Sequence, residues 1–171
     1  DPKNPAWLAY QGAASHFLCA AGDPEGFLYR GVRIADGSRD GDQLQLIQKM
    51  APTGANGIYL MAVRSHGGDG GPDENPFIDS DPAKGLDQDI VDQWEAWFSA
   101  MDAAGIAIYF FFYDDGARIW NTGNQVGAQE KAFVEGLVDR FEHHDHLVWV
   151  VAEEYSEKLT AQRVSALAAT I

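Results

Sequence analysis

Glu153, Glu154 and Tyr155 follow directly on the apolar run Leu147–Ala152. A continuous apolar run is the signature of a parallel strand buried on both faces. In α/β barrels the residues just past the C-terminal end of such a strand build the active site. One of the two glutamates is therefore the leading candidate for general acid/base chemistry. Adjacent residues in extended chain point to opposite faces, so the two do not flank one scissile bond as a pair. Two further runs end in ionisable groups: Gly57–Val63 leads into Arg64, Ser65 and His66, and Ile106–Phe112 leads into Tyr113, Asp114 and Asp115. Both are short and rich in aromatic and β-branched residues, as strands are. Three strands that deliver ionisable side chains at the same end describe a site.

Helical patterns fill the intervals. Leu86, Ile90, Trp94, Trp97, Phe98 and Met101 recur at helical spacing and stop at Gly105, while Phe133, Val134, Leu137, Val138 and Phe141 mark a second helix. A shorter helix runs from about Asp42 to Met50, ahead of Pro52, and another opens at Thr160 as N-cap. The first strand is assigned to Gly26–Arg30, with His16–Cys19 as the competing segment. The order is strand then helix, four times, which predicts parallel pairing through crossovers. The expected fold is α/β: the N-terminal half of a (β/α)8 TIM barrel, with about four βα units. A small open parallel α/β sheet is the alternative. Residues 1–171 read as one partial barrel domain, with an irregular segment 1–25 and a long acidic Gly/Pro loop 65–85.

A full barrel takes about 250 residues, and this chain has 171. Half a barrel leaves two sheet edges open, and open edges invite pairing. The expectation is either a homo-oligomer that completes the barrel or a longer natural chain; an apolar helical pattern still running at Ile171 favours the latter. Asp and Glu number 26 against 12 Lys and Arg, a net charge of −14, which disfavours nucleic acid and anionic membrane surfaces as partners. No apolar stretch approaches the ~20 residues that span a bilayer. The chain reads as soluble, and cytoplasmic and secreted locations (the latter after removal of a signal ahead of Asp1) both stay open. Cys19 is the single cysteine, so no intrachain disulfide forms.

Other clusters point less clearly to chemistry. His143, His144 and His146, with Glu142 and Asp145, have the composition of a metal site. They lie between a helix end and a strand start, the wrong end of a barrel for catalysis, and histidines suit a helix C-terminus electrostatically. No metal is assigned to them. Asp69, Asp73, Glu74, Asn75, Asp79 and Asp81 offer oxygen ligands for calcium but lack the spacing of a calcium loop; the pattern requires no other cofactor. Gly67–Gly71 lacks the Lys-Ser/Thr ending of a phosphate loop, and no Gly-x-Ser-x-Gly elbow is present.

The segment from Gly85 to Leu159 resembles the clan of (β/α)8 retaining glycoside hydrolases whose acid/base follows strand four and whose nucleophile follows strand seven. It is most similar to members with a Trp-Asn-Leu-Gly-Glu-Glu-Asn run. The matching pieces are Leu86-Asp87 with Asp92-Gln93-Trp94, Ala104-Gly105-Ile106, Arg140-Phe141 and above all Trp149–Glu154. The resemblance implies a carbohydrate substrate, with Glu154 as general acid/base and Glu153 where the clan has a sugar-binding Asn. A charged Glu153 would raise the pKa of a neighbouring carboxyl, which suits a general acid. Double displacement needs a second carboxyl about 5–5.5 Å away, and the nucleophile of strand seven lies beyond this chain. Arg64 and His66 are expected at the same rim, either against the sugar or in ion pairs. Asp114 and Asp115, on the neighbouring strand end, come closer than Glu153 and Glu154 to the two-carboxyl requirement. Binding of sugar hydroxyls or a cation is their alternative role. Tyr113, Trp120 and Tyr155 are expected to offer ring faces. A non-catalytic carbohydrate-binding or assembly module derived from such a barrel is the alternative function.

Overall fold

The computed structural model describes Ala9, residues 16–22 and residues 24–171. Most of the irregular segment 1–25 thus lies outside the described residues. Three strands form one parallel sheet in the order β1 (Gly57–Met61), β2 (Ala107–Tyr113) and β3 (Leu147–Ala152). Tyr59 stands opposite Tyr109, and Tyr109 opposite Val148, so the polar ends of all three strands meet at one rim. The helices are α1 (Gln43–Met50), α2 (Gln88–Ala103), α3 (Ala128–Phe141) and α4 (Ala161–Ala168). No helix among the described residues is long and apolar enough to cross a membrane.

Local chemistry explains where the helices begin and end. The Asp87 carboxylate caps α2 by accepting the Asp89 N–H, and Gly105 takes the left-handed conformation just past its end. Thr160 caps α4 by accepting the Arg163 N–H at 3.1 Å, as its sequence position implies. The acidic loop is folded rather than linker-like: Phe77 is fully buried and bridges in antiparallel fashion to Leu86.

The core is aromatic and lies on one face of the sheet. Trp94 and Phe98 of α2 and Phe141 of α3 meet the edge or face of Phe110, and Phe112 stacks on Trp149 at 5.5 Å and 15°. The other face is only half covered. Tyr59, Tyr109 and Phe111 are half-buried and Val148 is 42% exposed. This corrects the expectation of strands buried on both faces: helices cover one side, so burial along β2 alternates.

The first strand also needs correction. Phe27–Tyr29 form a single turn of 3-10 helix, with all three side chains buried at once, which an alternating strand does not permit. Phe27 packs edge-on against Trp97 and Tyr29 against Trp94, while the Tyr29 hydroxyl donates to the Ala62 carbonyl. The competing segment is the one that meets the sheet. Ala20 bridges in parallel to Gly57, Cys19 N–H donates to Asn56 Oδ1, and Asn56 Nδ2 donates to the Phe17 carbonyl. The described residues thus hold three strands with four helices, an open parallel sheet, rather than four complete βα units.

Arg163 fastens α4 to the rest. Its guanidinium donates to both Glu130 carboxylate oxygens at 2.8 and 2.7 Å and to the carbonyls of Gly123 and Gln125. Glu130 also accepts the Tyr113 hydroxyl at 2.9 Å, joining β2, α3 and α4 in one buried knot. Removing one partner leaves a buried charge uncompensated, at about 3–5 kcal/mol. Arg163→Met is therefore expected to lower the urea-unfolding free energy by about 3 kcal/mol or more. Adding Glu130→Leu should recover much of that loss.

Candidate active site

Arg64 follows β1 and organises the rim. Its three guanidinium nitrogens reach three carboxylates from three chain segments: Nη2 to Glu25 at 3.1 Å, Nη1 to Glu74 at 3.0 Å and Nε to Asp114 at 3.2 Å. Its side chain is 12% exposed and that of Asp114 is 1% exposed, so the pair with Asp114 is a buried one. Against the cost of that burial, Glu74, Asp114 and Glu25 hold the guanidinium charged. The planar fork of arginine can serve three acceptors at fixed angles, which a lysine ammonium cannot. Of the two readings of Arg64, the structure displays the ion-pair one.

Asp114 follows β2. Beyond Arg64 it accepts the N–H groups of Asp115 at 2.7 Å and Asp69 at 3.3 Å. Burial and the adjoining Asp115 carboxyl nevertheless push it up to about 6, outweighing those donors and Arg64. Glu153 follows β3 and extends the ladder by one bond, its N–H donating to the Tyr113 carbonyl at 3.1 Å. Burial, then the charges of Glu25, Asp114, Asp115 and Glu154, push the Glu153 carboxyl up to about 7. Glu153 is half-buried among the acids of the rim, and Glu154 is exposed. The backbone turns over at Glu154, with φ 34° and ψ 42°, a left-handed conformation that costs a non-glycine residue about 1–3 kcal/mol.

The remaining expected site residues separate. His66 is exposed, also left-handed at φ 61°, and its Nδ1 lies 2.6 Å from Ser65 Oγ. Buried Asn75 donates to the same Ser65 oxygen at 3.2 Å. Asp115 is half-buried beside Asp114, and its Oδ1 accepts the Gly116 N–H at 2.5 Å. Tyr113 is a correction: it is buried against Phe133 with its hydroxyl on Glu130, so it faces α3 and offers no ring to a ligand. Trp120 is half-buried, with its ring packed on Phe77 and Phe133. Tyr155 is 42% exposed in the turn after Glu154.

Most of the loop acids have partners of their own. Asp73 pairs with Arg39, Glu74 with Arg64 and Asp79 with Lys84, while Asp81 caps a turn and Asn75 binds Ser65. Asp115, Glu154 and Glu157 do bring carboxylate oxygens within 4.8 Å of one another, on an exposed surface. The loops after β1 and β2 touch through backbone: a Cβ on Gly116 would lie 2.1 Å from the Gly67 carbonyl oxygen. Glu25 was missed at the level of sequence, because it sits in a segment with neither period nor motif.

No family model matches the chain, and no curated protein does. Solved structures do. The chain is similar to a glycoside hydrolase family 5 protein from Bacteroides vulgatus, with TM-score 0.64 and 12% identity over 96% of this chain and 34% of that one. A second glycoside hydrolase gives TM-score 0.59 and 13% identity over 96% and 36% of the two chains. A β-mannanase from the blue mussel Mytilus edulis gives 0.51 and 16% over 87% and 44%. The chain thus spans about a third of the length of the first two. At such identities the likeness is one of fold: a glycoside hydrolase-like arrangement corresponding to one part of a TIM barrel.

Two outcomes follow from the rim's charges. Arg64→Met is expected to cost about 3 kcal/mol in urea unfolding at pH 7, and less at pH 5, where Asp114 and Glu153 take up protons. Glu153 works in the opposite sense. Its raised folded-state pKa means that its contribution is fully present below the unfolded value near 4.3 and is lost as pH rises through about 7. Glu153→Gln should therefore leave Tm unchanged near pH 4 and raise it by about 2–4 °C at pH 8. That rise corresponds to about 1 kcal/mol once solvent screening is allowed for.

Proposed function

We propose that this chain is the acid/base-bearing part of a retaining glycoside hydrolase acting on a neutral carbohydrate. The observation that carries the reading is the pair of carboxyls at the end of β3, with Glu153 pushed up to about 7 among the other rim acids. The glycoside hydrolase-like fold supports it independently.

In this proposal Glu154, exposed and free of the sheet's ladder, is the proton donor and later the base. Glu153 holds a sugar hydroxyl. Below about pH 7 its carboxyl is neutral, so it can both donate and accept, as an Asn amide does. Arg64 is a positioning residue that keeps Asp114 and Glu25 in place. Asp115, His66, Trp120 and Tyr155 are the further rim residues within the proposed binding surface. The second carboxyl that double displacement requires belongs to the remainder of a full barrel, supplied by further chain or by a second copy of this one.

Binding is the property this part can exhibit by itself. Affinity electrophoresis through gels containing soluble neutral polysaccharides should retard the chain at pH 6 and less so at pH 8. Glu153→Gln should make the retardation independent of pH, and Glu154→Gln should leave it in place. Migration unaffected by every neutral polysaccharide tried would overturn the proposal. Aryl-glycoside turnover is expected only where light scattering finds an even multimer, and that turnover should vanish in Glu154→Gln.

A further inference from the structure

At the opposite end of the sheet, the turn between α3 and β3 brings two of its histidines onto α2. We infer that Glu95, His143 and His144 form a binding site for one divalent transition-metal ion of the zinc type. The ion would clip α2 to the α3–β3 turn.

The geometry comes first. His143 Nε2 lies 3.0 Å and His144 Nε2 3.3 Å from the same Glu95 oxygen, Oε1, and the three ligand atoms all fall within 4.8 Å of one another. For bonds of about 2.0–2.1 Å, the edge of a tetrahedron of zinc ligands is about 3.3–3.4 Å. Imidazole with carboxylate is a donor set that suits zinc and its neighbours rather than calcium or magnesium.

The second observation concerns His144. Its side chain is 2% exposed, with its ring against Phe98 and Phe141. On one side Nδ1 meets Asp102 Oδ2 in a short contact, which makes Nδ1 an N–H donor. On the other side the buried Nε2 makes no hydrogen bond among the described residues although Glu95 Oε1 stands beside it. A ring nitrogen and a carboxylate oxygen at this distance are held either by a proton on the nitrogen or by a metal ion between them. A carboxylate that fixes the tautomer of a buried histidine from behind is the usual outer-shell arrangement of a metal-binding imidazole.

Charge agrees. Arg140 holds Asp92 at 2.8 Å and stands 3.6 Å from Glu95 Oε2, and His146 approaches Asp102 at 3.8 Å. Asp92, Glu95 and Asp102 outnumber Arg140 by two charges, which a divalent ion would balance. His143 is 59% exposed, so the ion is reachable from solvent and keeps room for water as a further ligand. The position of these histidines after a helix C-terminus explains their presence but not the convergence of two of them on one carboxylate oxygen.

The test uses the chain stripped of metal with a chelator and titrated with Zn2+ by calorimetry, and with Co2+ by visible absorption, at pH 7.5. The expected result is one Zn2+ per chain and a Co2+ spectrum of low coordination number. His143→Ala, at an exposed position, and Glu95→Gln should each weaken binding at least ~10-fold, and Asp102→Asn roughly 10–100-fold. His66→Ala, at the opposite end of the sheet, should leave it unchanged, and circular dichroism checks that each variant is folded. Failure to bind stoichiometrically would overturn the inference and assign the gap to an extra proton on His144. Binding that survives His143→Ala and Glu95→Gln, or that is lost in His66→Ala, would overturn it equally.

Discussion

The rim stands on one guanidinium. Arg64 gathers Glu25 from the N-terminal segment, Glu74 from the long loop and Asp114 from the end of β2, and its own backbone continues β1. These stretches also meet through backbone, with the Arg64 and Ser65 N–H groups on the Glu74 carbonyl and the Asp114 N–H on the Val63 carbonyl. The guanidinium adds an ion pair to each of the three acids. The arrangement is strong because it is partly dry. In water each contact would contribute little, whereas an Asp114 side chain 1% exposed makes the loss of its partner costly. The loop after β1 is then free to fold on itself, with Phe77 driven into the aromatic core and Asn75 fixed beneath Ser65.

A cationic centre of this kind has limits. Glu25, Glu74, Asp114, Asp115, Glu153 and Glu154 face or adjoin one another around one arginine, so full ionisation would leave a large excess of negative charge. The excess is relieved by protons. Asp114 rises to about 6 and Glu153 to about 7, and both rises begin with burial. The acid cluster and the arginine are therefore one system: Arg64 sets which carboxylates stay ionised, and the remaining crowding decides which one keeps a proton near neutrality.

Much of this was legible in the sequence, and the limits of legibility have physical causes. The helices were readable because Ile90, Trp94, Trp97, Phe98 and Met101 recur with the helical period and because Gly105 and Thr160 mark a helix stop and an N-cap, whereas the Asp87 cap was not read. The three strands were readable from their aromatic runs. Phe27–Tyr29 was misread because a three-residue apolar run has no period, and only packing against Trp94 and Trp97 makes it a turn of helix. Tyr113 was misplaced because its direction depends on Glu130, which becomes its neighbour only after α3 folds back. The distinction between Glu153 and Glu154 is finer still. It turns on one left-handed residue, and a glutamate carries no sequence signal for that conformation.

The placement of charge also constrains what the rim can accept. Within a chain of net charge −14, the rim concentrates acids around a guanidinium whose nitrogens already have partners. Such a field repels phosphates, uronates and other anions before contact, and no free cation of this cluster is left to receive them. Neutral polyols meet no such barrier, since hydroxyls donate to carboxylates and accept from a protonated carboxyl. A proton on Glu153 adds a donor at a rim otherwise built of acceptors, so what the rim can hydrogen-bond depends on pH around the value of that one group. The charge of Asp114, held against Arg64, thus helps to set through Glu153 the pH at which the rim gains a hydrogen-bond donor.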